Sequence, residues 1–181
     1  MRQFYMDTNV FISSLKPDDP YHKEAKAIAR RLEDDEIQAE TSVLTLVETA
    51  SVASRLHHAK KHRKQENNER KVFIVKALRR LAALKTRFIN IAGDIPIAVK
   101  NIQTSLPSLF NEAITLSLQA PLRTFDLMQL AAAGHAKQMN SELGAFVTGD
   151  GELLSKKQEL SKIIKMPILS PKEYVEALGL E

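Results

Sequence analysis

Short apolar runs alternate along the chain with longer segments in which apolar residues recur every three or four positions. The short runs predict strands, at residues 3–6, 37–42, 88–92, 145–150 and 166–170. The longer segments predict helices, at residues 20–36, 43–61, 69–85, 95–103, 108–118, 124–139 and 170–179. Because apolar strands that alternate with helices are typical of parallel sheets, we expect an α/β fold with helices on both faces of a mostly parallel sheet.

The last predicted helix carries the most complete set of end signals. Ser170 can cap its N-terminus, Pro171 suits the first helical position, and Glu173 completes a capping box with Ser170. Gly179 suits the position at which the helix ends. These signals predict a helix that begins after Ser170 and stops at Gly179.

Length and composition favour one globular domain, which we place at residues 1–181. The chain is 44 % hydrophobic and 27 % charged, and it has no cysteine, which excludes disulfides, thiolate zinc sites and a thiol nucleophile. Its N-terminus lacks the apolar segment of a signal peptide, and no segment is apolar enough to span a bilayer. We therefore expect a cytoplasmic protein that does not bind a membrane.

The net charge of +4 is unevenly distributed. Residues 55–87 hold twelve Lys or Arg against two Glu, so this basic helical extension stands out from an acidic remainder. Such a separation favours an anionic partner at the extension, while a solvated helical face is the plainer alternative. The residues that we expect to contact the partner are Arg55, Lys60, Lys61, Arg63 and Lys64.

Four acidic residues are predicted to lie near the carboxyl edge of the sheet. Asp7 and Asp150 directly follow the first and the fourth predicted strands. Glu48 lies in the first turns of the helix after the second strand, and Asp126 lies in the first turn of the helix predicted before the fourth strand. Because sites in open α/β sheets form outside the carboxyl ends of the strands, all four are candidates for one site.

Each acid also has an ordinary structural explanation. Glu48 could complete a capping box with Thr45, and Asp126 could favour the positive end of its helix. Asp150 could cap a helix or a turn, and Asp7 could hold a strand-to-helix turn together with its two polar neighbours. The residues alone leave these alternatives open.

If the four carboxylates converge, their repulsion must be neutralised. Two like charges in contact repel by roughly 4 kcal/mol at an effective dielectric constant near 20. Hard oxygen ligands suit Mg²⁺ or Mn²⁺, and such an ion can activate a water and bind a phosphate oxygen. With a basic stretch to hold a nucleic-acid backbone, the combination favours phosphodiester hydrolysis.

Four segments resemble, in order, the acidic motifs of the PIN-domain nucleases. They are "MDTNVFIS", "LTLVETAS", "LRTFDLMQLAAA" and "FVTGDGEL". Among these nucleases, the chain is most similar to the ribonuclease toxins of toxin–antitoxin pairs, usually called VapC. The resemblance implies a three-layer α/β/α fold in which the basic extension is a helical hairpin insertion.

The resemblance also implies an endoribonuclease that hydrolyses RNA with water activated by one or two Mg²⁺ or Mn²⁺ ions. The implied catalytic and metal-binding residues are Asp7, Glu48, Asp126 and Asp150. The implied supporting residues, which hold the acids or the scissile phosphate, are Thr8, Asn9 and Thr148. A homodimer and an antitoxin partner are further implications.

Three alternatives remain open at this point. The chain is longer than a compact PIN toxin, with the surplus at residues 55–87 and 93–121. An RNA-processing nuclease, or an RNA-binding module without activity, would also fit this fold. A phosphatase with Asp7 as nucleophile is disfavoured, because the second acid that it needs is replaced by Asn9.

Overall fold

The computed structural model describes residues 2–60, 66–91, 93–99 and 102–179. Its strands are β1 (Gln3–Met6), β2 (Gln38–Ser42), β3 (Arg87–Ile89), β4 (Asp94–Val99), β5 (Ile102–Pro107), β6 (Phe146–Val147) and β7 (Ile168–Leu169). Five of these form one sheet in the order β3-β2-β1-β6-β7, and every neighbouring pair is parallel. The other two, β4 and β5, pair with each other antiparallel.

Helices occupy most of the chain between the strands. They are α1 (Thr8–Leu15), α2 (His22–Glu33), α3 (Leu44–Lys60), α4 (Glu66–Ala83), α5 (Ser108–Ser117), α6 (Thr124–Met139), α7 (Gly151–Ser155), α8 (Lys157–Ile164) and α9 (Pro171–Leu178). Within the described ranges, none of them is long and apolar enough to cross a membrane.

Alternate strand residues enter two hydrophobic cores, one on each face of the sheet. Phe4, Met6 and Val147 pack in a core with α1, α2, α4 and α9. Tyr5 and Phe146 pack in a second core with α5, α6 and α8. Because successive strand side chains point to opposite faces, this division produces three layers and confirms the expected α/β/α fold.

The basic extension begins as a pair of packed helices. α3 and α4 pack against each other, as the predicted helical hairpin requires. The segment that joins them, residues 61–65, lies outside the described residues.

The prediction of a helix over residues 95–103 is wrong, because β4 and β5 occupy this region. Ile95, Ile97 and Val99 alternate with other residues at the period of a strand, and β-branched side chains favour strands. Pro96 also disfavours a helix interior, whereas a two-stranded ribbon leaves it on an edge.

Three helices, α1, α7 and α8, are additional to the predicted set. Every residue from Val10 to Ser14 in α1 is buried, so the helix lacks the polar face that reveals helical periodicity. α7 has five residues, which is too short for a periodic pattern to emerge.

The capping box predicted for α9 is confirmed. The Ser170 hydroxyl accepts a hydrogen bond from the Glu173 N–H at 3.2 Å, and Glu173 Oε2 accepts one from the Ser170 N–H at 2.8 Å. Gly179 ends the helix with a φ of 65°, a conformation that glycine adopts without strain. The cap positions Tyr174, whose ring packs on Phe4 of β1 with centroids 4.6 Å apart.

Replacing Ser170 with alanine should lower the free energy of unfolding by about 1 kcal/mol, because the partly buried Glu173 N–H loses its acceptor. Urea unfolding measures the change. Ser141→Ala, in the exposed loop after α6, is the matched control and should change stability by less than about 0.5 kcal/mol. Equal effects of the two substitutions would contradict a stabilising cap.

Candidate active site

A pocket of about 440 Å³ opens at the carboxyl edge of the sheet. It lies where β1 and β6 meet, because β1 pairs with β2 on one side and with β6 on the other. Such a change of strand order leaves a crevice outside the strand ends. The four candidate acids all line this pocket: Asp7, Glu48, Asp126 and Asp150.

Asp7 is held from both strands that border the crevice. Its Oδ2 accepts hydrogen bonds from the Thr148 hydroxyl at 2.6 Å and from Asn9 Nδ2 at 2.7 Å. Asn9 Oδ1 in turn accepts a hydrogen bond from the Gly149 N–H at 2.6 Å. Asn9 therefore ties the residues after β1 to those after β6, and the Asp7 carboxylate cannot rotate freely between them.

The Asp7 carboxyl group is 6 % exposed, and burial raises its pKa from 3.8 to about 7. The charges of Glu48 and Asp126 contribute to this rise of the pKa, whereas the hydrogen bond from Thr148 opposes it. Asp7 therefore lies close enough to other acids to feel their charge, in a place where water screens it poorly.

Asp126 reaches the pocket from the first turn of α6. Its partial burial, followed by the charge of Asp150, raises its pKa from 3.8 to about 6, while Arg123 acts in the opposite direction. The Oδ2 atom of Asp126 is buried and has no hydrogen-bond partner among the described residues. A buried carboxylate oxygen without a partner is uncommon and is available to a ligand.

Asp150 has a structural role as well as a place in the pocket. Its Oδ1 accepts hydrogen bonds from the N–H groups of Glu152 at 2.8 Å and Leu153 at 3.1 Å, so it caps α7. The Asp150 N–H donates to the Thr148 hydroxyl at 3.0 Å. The helix-cap alternative is thus confirmed for Oδ1, and the cap fixes the carboxylate at the pocket rim.

Glu48 does not complete a capping box for its own helix. Its Oε2 accepts hydrogen bonds from the Thr8 hydroxyl and from Gln129 Nε2, the latter at 2.7 Å. Thr45 instead joins Thr8 in a buried cluster, with the two hydroxyl oxygens 3.1 Å apart. The side chain of Glu48 is therefore oriented by α1 and α6.

Gln129 is a site residue that the sequence analysis missed. It is 2 % exposed, and its Oε1 accepts a hydrogen bond from the Tyr5 hydroxyl at 2.7 Å. Because the Tyr5 oxygen accepts from the Ser42 N–H at 3.1 Å, the Tyr5 proton is free to point at Gln129. The amide NH₂ of Gln129 must then face Glu48. A lone amide side chain within the apolar run of α6 was the available signal.

Two cationic side chains also line the pocket, Lys16 and Arg55. Arg55 was predicted as an RNA contact, whereas Lys16 was not. The side chain of Lys60 and all of Lys61, Arg63 and Lys64 lie outside the described part of the chain, so their predicted contacts stay predictions.

The donor atoms at the pocket suit a hard divalent cation, since carboxylate, hydroxyl and amide oxygens are its preferred ligands. Burial and the charges of neighbouring acids raise the pKa of Asp7, and the Asp126 Oδ2 atom lacks a hydrogen-bond partner in the described part of the chain, so a cation would compensate both groups. Among the described residues, no three His, Cys, Asp or Glu side chains are grouped closely enough to hold an ion. An ion at this pocket would therefore bind one or two carboxylates directly and keep several waters.

Comparison with known proteins identifies the fold. The PIN-domain family matches residues 4–157, a segment that contains all four acids. No significant match was found among curated proteins or among solved structures. PIN domains are generally metal-dependent nucleases that use divalent ions and act on RNA or other nucleic acids. Because the match spans far more than half of its length, the chain belongs to the PIN-domain family.

Proposed function

We propose that the protein is a Mg²⁺- or Mn²⁺-dependent endoribonuclease that hydrolyses phosphodiester bonds of RNA. The proposed catalytic residues, which also hold one or two ions, are Asp7, Glu48, Asp126 and Asp150. The proposed supporting residues are Thr8, Asn9 and Thr148. The observation that carries the proposal is that four acids from distant parts of the sequence line one pocket, where two of them have raised pKa values.

The electrostatics of the pocket support a cation. At pH 7, Asp7 is protonated in a large fraction of molecules because its pKa is about 7, whereas Asp126, with a pKa of about 6, is mostly ionised. A bound divalent cation would stabilise the ionised form of both carboxylates and would displace the Asp7 proton. When bound, Mg²⁺ or Mn²⁺ supplies an activated water and neutralises charge at the phosphate.

The protein side chains prepare this chemistry by holding charges in place. Thr148 and Asn9 fix the Asp7 carboxylate through its Oδ2 atom. Gln129 fixes Glu48 from below the pocket. The cationic side chain of Arg55 lies at the same pocket and can bind the phosphate backbone on either side of the scissile bond.

We also propose that the protein is the toxin of a toxin–antitoxin pair and acts in the cytoplasm as a homodimer, with residues 1–181 forming one domain. The basic extension supports this proposal, since its charge suits either RNA or an acidic antitoxin segment. A PIN-type RNA-processing nuclease is the alternative. Induced wild-type protein should arrest growth of host cells, whereas induced Asp7→Asn should not; unimpeded growth with the wild type favours the alternative.

Asp7→Asn and Asp126→Asn should each reduce RNA cleavage by at least about 100-fold, because each removes a charge that holds the cation. Cleavage of a varied RNA panel with Mn²⁺, followed on gels, measures the loss. Asp34→Asn, at an exposed acid outside the pocket, is the control and should cleave like the wild type. If the wild-type protein leaves every RNA of the panel uncleaved, the RNA-binding module without activity is the remaining hypothesis.

The stability of the metal-free protein should fall as pH rises toward 8. The folded-state pKa of Asp7 is raised from 3.8 to about 7, so the native state binds the extra proton and loses that advantage as pH rises through 7. In buffer that contains a chelator, Asp7→Asn should therefore raise the free energy of unfolding by about 2 kcal/mol more at pH 8 than at pH 5. Urea unfolding at the two pH values measures this difference.

Excess Mn²⁺ should reduce the stabilisation that Asp7→Asn causes, because the cation then neutralises the carboxylate of the wild-type protein. Asp34→Asn should show no such dependence on pH or metal. A purely structural Asp7 would behave differently: Asp7→Asn would lose stability at both pH values.

Gln129→Leu should lower the free energy of unfolding by about 1–3 kcal/mol, because it leaves the buried Tyr5 hydroxyl and Glu48 Oε2 without their shared partner. Urea unfolding compares it with Gln138→Leu, at an exposed position on the same helix, which should be nearly neutral. If Gln129→Leu is as stable as the wild type, the hydrogen bonds of Gln129 do not contribute to stability.

A further inference from the structure

A second cavity adjoins the candidate active site. It has a volume of about 240 Å³ and lies between α1, α3 and α4. Ile12, Lys16 and Leu56 line both this cavity and the acidic pocket, so the two cavities are neighbours that share part of a wall. The remaining wall is mostly apolar and includes Phe73 of α4.

We propose that this cavity, here called the base cavity, receives one unpaired nucleobase of the RNA next to the scissile phosphate. Phe73 stacks on the base, and Lys16 contacts the phosphate that links the base to the cleavage position. The proposal rests on the proposed ribonuclease function and specifies its substrate as RNA with an unstacked nucleotide at this place.

The size and lining of the base cavity fit a single base. Pockets for drug-sized ligands commonly measure about 300–1,000 Å³, so a cavity of about 240 Å³ suits a smaller flat group. Leu56 and Phe73 provide the apolar and aromatic surface on which a base stacks irrespective of its sequence.

Phe73 is poorly explained as a core residue. Its side chain is 38 % exposed although its neighbour along the same face, Ala77, is buried. The ring of His57 packs beside it, with centroids 5.9 Å apart, and this contact holds Phe73 in the wall of the base cavity. An exposed aromatic ring held in this way next to a phosphate-cleaving pocket is typical of single-strand binding surfaces.

The charges around the base cavity suit an anionic nucleic-acid backbone. Lys16 lies at the junction of the two cavities. Lys76 and Arg80 are exposed and follow Phe73 by three and seven positions, a spacing that places them on the same face of α4. These cations suit a phosphate backbone that runs past the cavity.

One acid, Asp18, also lines the base cavity. A carboxylate repels phosphate but accepts hydrogen bonds from the exocyclic amino group of a base, as it does from cytosine N4. Asp18 therefore suits a base with an amino group, which adenine, cytosine and guanine carry and uracil lacks.

The test measures binding of fluorescent RNA to the full chain carrying Asp7→Asn, so that RNA is not cleaved. In Mg²⁺ buffer, adding Phe73→Ala should raise the Kd for single-stranded RNA by roughly fivefold to 100-fold. The Kd for a duplex of the same sequence should stay the same, since its bases are already stacked. Phe73→Tyr should restore single-strand binding because it keeps the aromatic face.

Phe110→Ala is the matched control, at a phenylalanine that is 43 % exposed on α5, away from both cavities. If Phe73→Ala fails to fold, Phe73→Leu keeps the apolar volume without the ring and should weaken single-strand binding as well. Lys16→Ala should lower the slope of log Kd against log salt by about 1.

Unchanged single-strand affinity in Phe73→Ala overturns the base cavity, as does an equal loss of affinity for the single strand and the duplex. These results differ from failure of the proposed function itself. If wild-type protein does not cleave RNA with Mn²⁺, the ribonuclease is wrong; if it cleaves and Phe73→Ala cleaves with unchanged KM, only the base cavity is wrong.

Discussion

Asp7 places a carboxylate where β1 and β6 meet, largely removed from water and within reach of the charges of other acids. Neighbouring side chains offset part of the free-energy cost of that burial. Hydroxyl and amide donors satisfy one of its oxygens, and its pKa rises toward neutrality as a result of desolvation. The same burial would strengthen the binding of a cation at the pocket, since weak screening acts on attraction as well as repulsion.

Beneath the pocket, polar side chains from all three layers form one buried cluster. Tyr5 belongs to the sheet, Thr8 and Glu48 to helices α1 and α3, and Gln129 to α6. Their hydrogen bonds determine one orientation for the Gln129 amide and hence for Glu48. A cluster in which the members satisfy one another is rigid, and it positions the acid without relying on a flexible loop.

The sequence was informative where local physics and tertiary structure agree. The bounds of α6 and the capping box at Ser170 followed from periodicity and cap chemistry. Part of the strand pair β4–β5 was mistaken for a helix because a short apolar stretch is compatible with either element, and the alternation of Ile95, Ile97 and Val99 covers only a few residues. Gln129 was overlooked because its partners lie 81 to 124 residues away and only the folded chain brings them together.

The hydrogen bond between Asn9 and Gly149 limits how early in synthesis the pocket can form. Asn9 bonds to Gly149, and Asp7 bonds to Thr148, across more than 130 residues of chain. Neither contact can form before β6 has paired with β1. A nascent chain that has released β1 but not β6 from the ribosome therefore carries Asp7 without its supports. Any chemistry at this crevice has to wait until the chain through Gly149 has emerged.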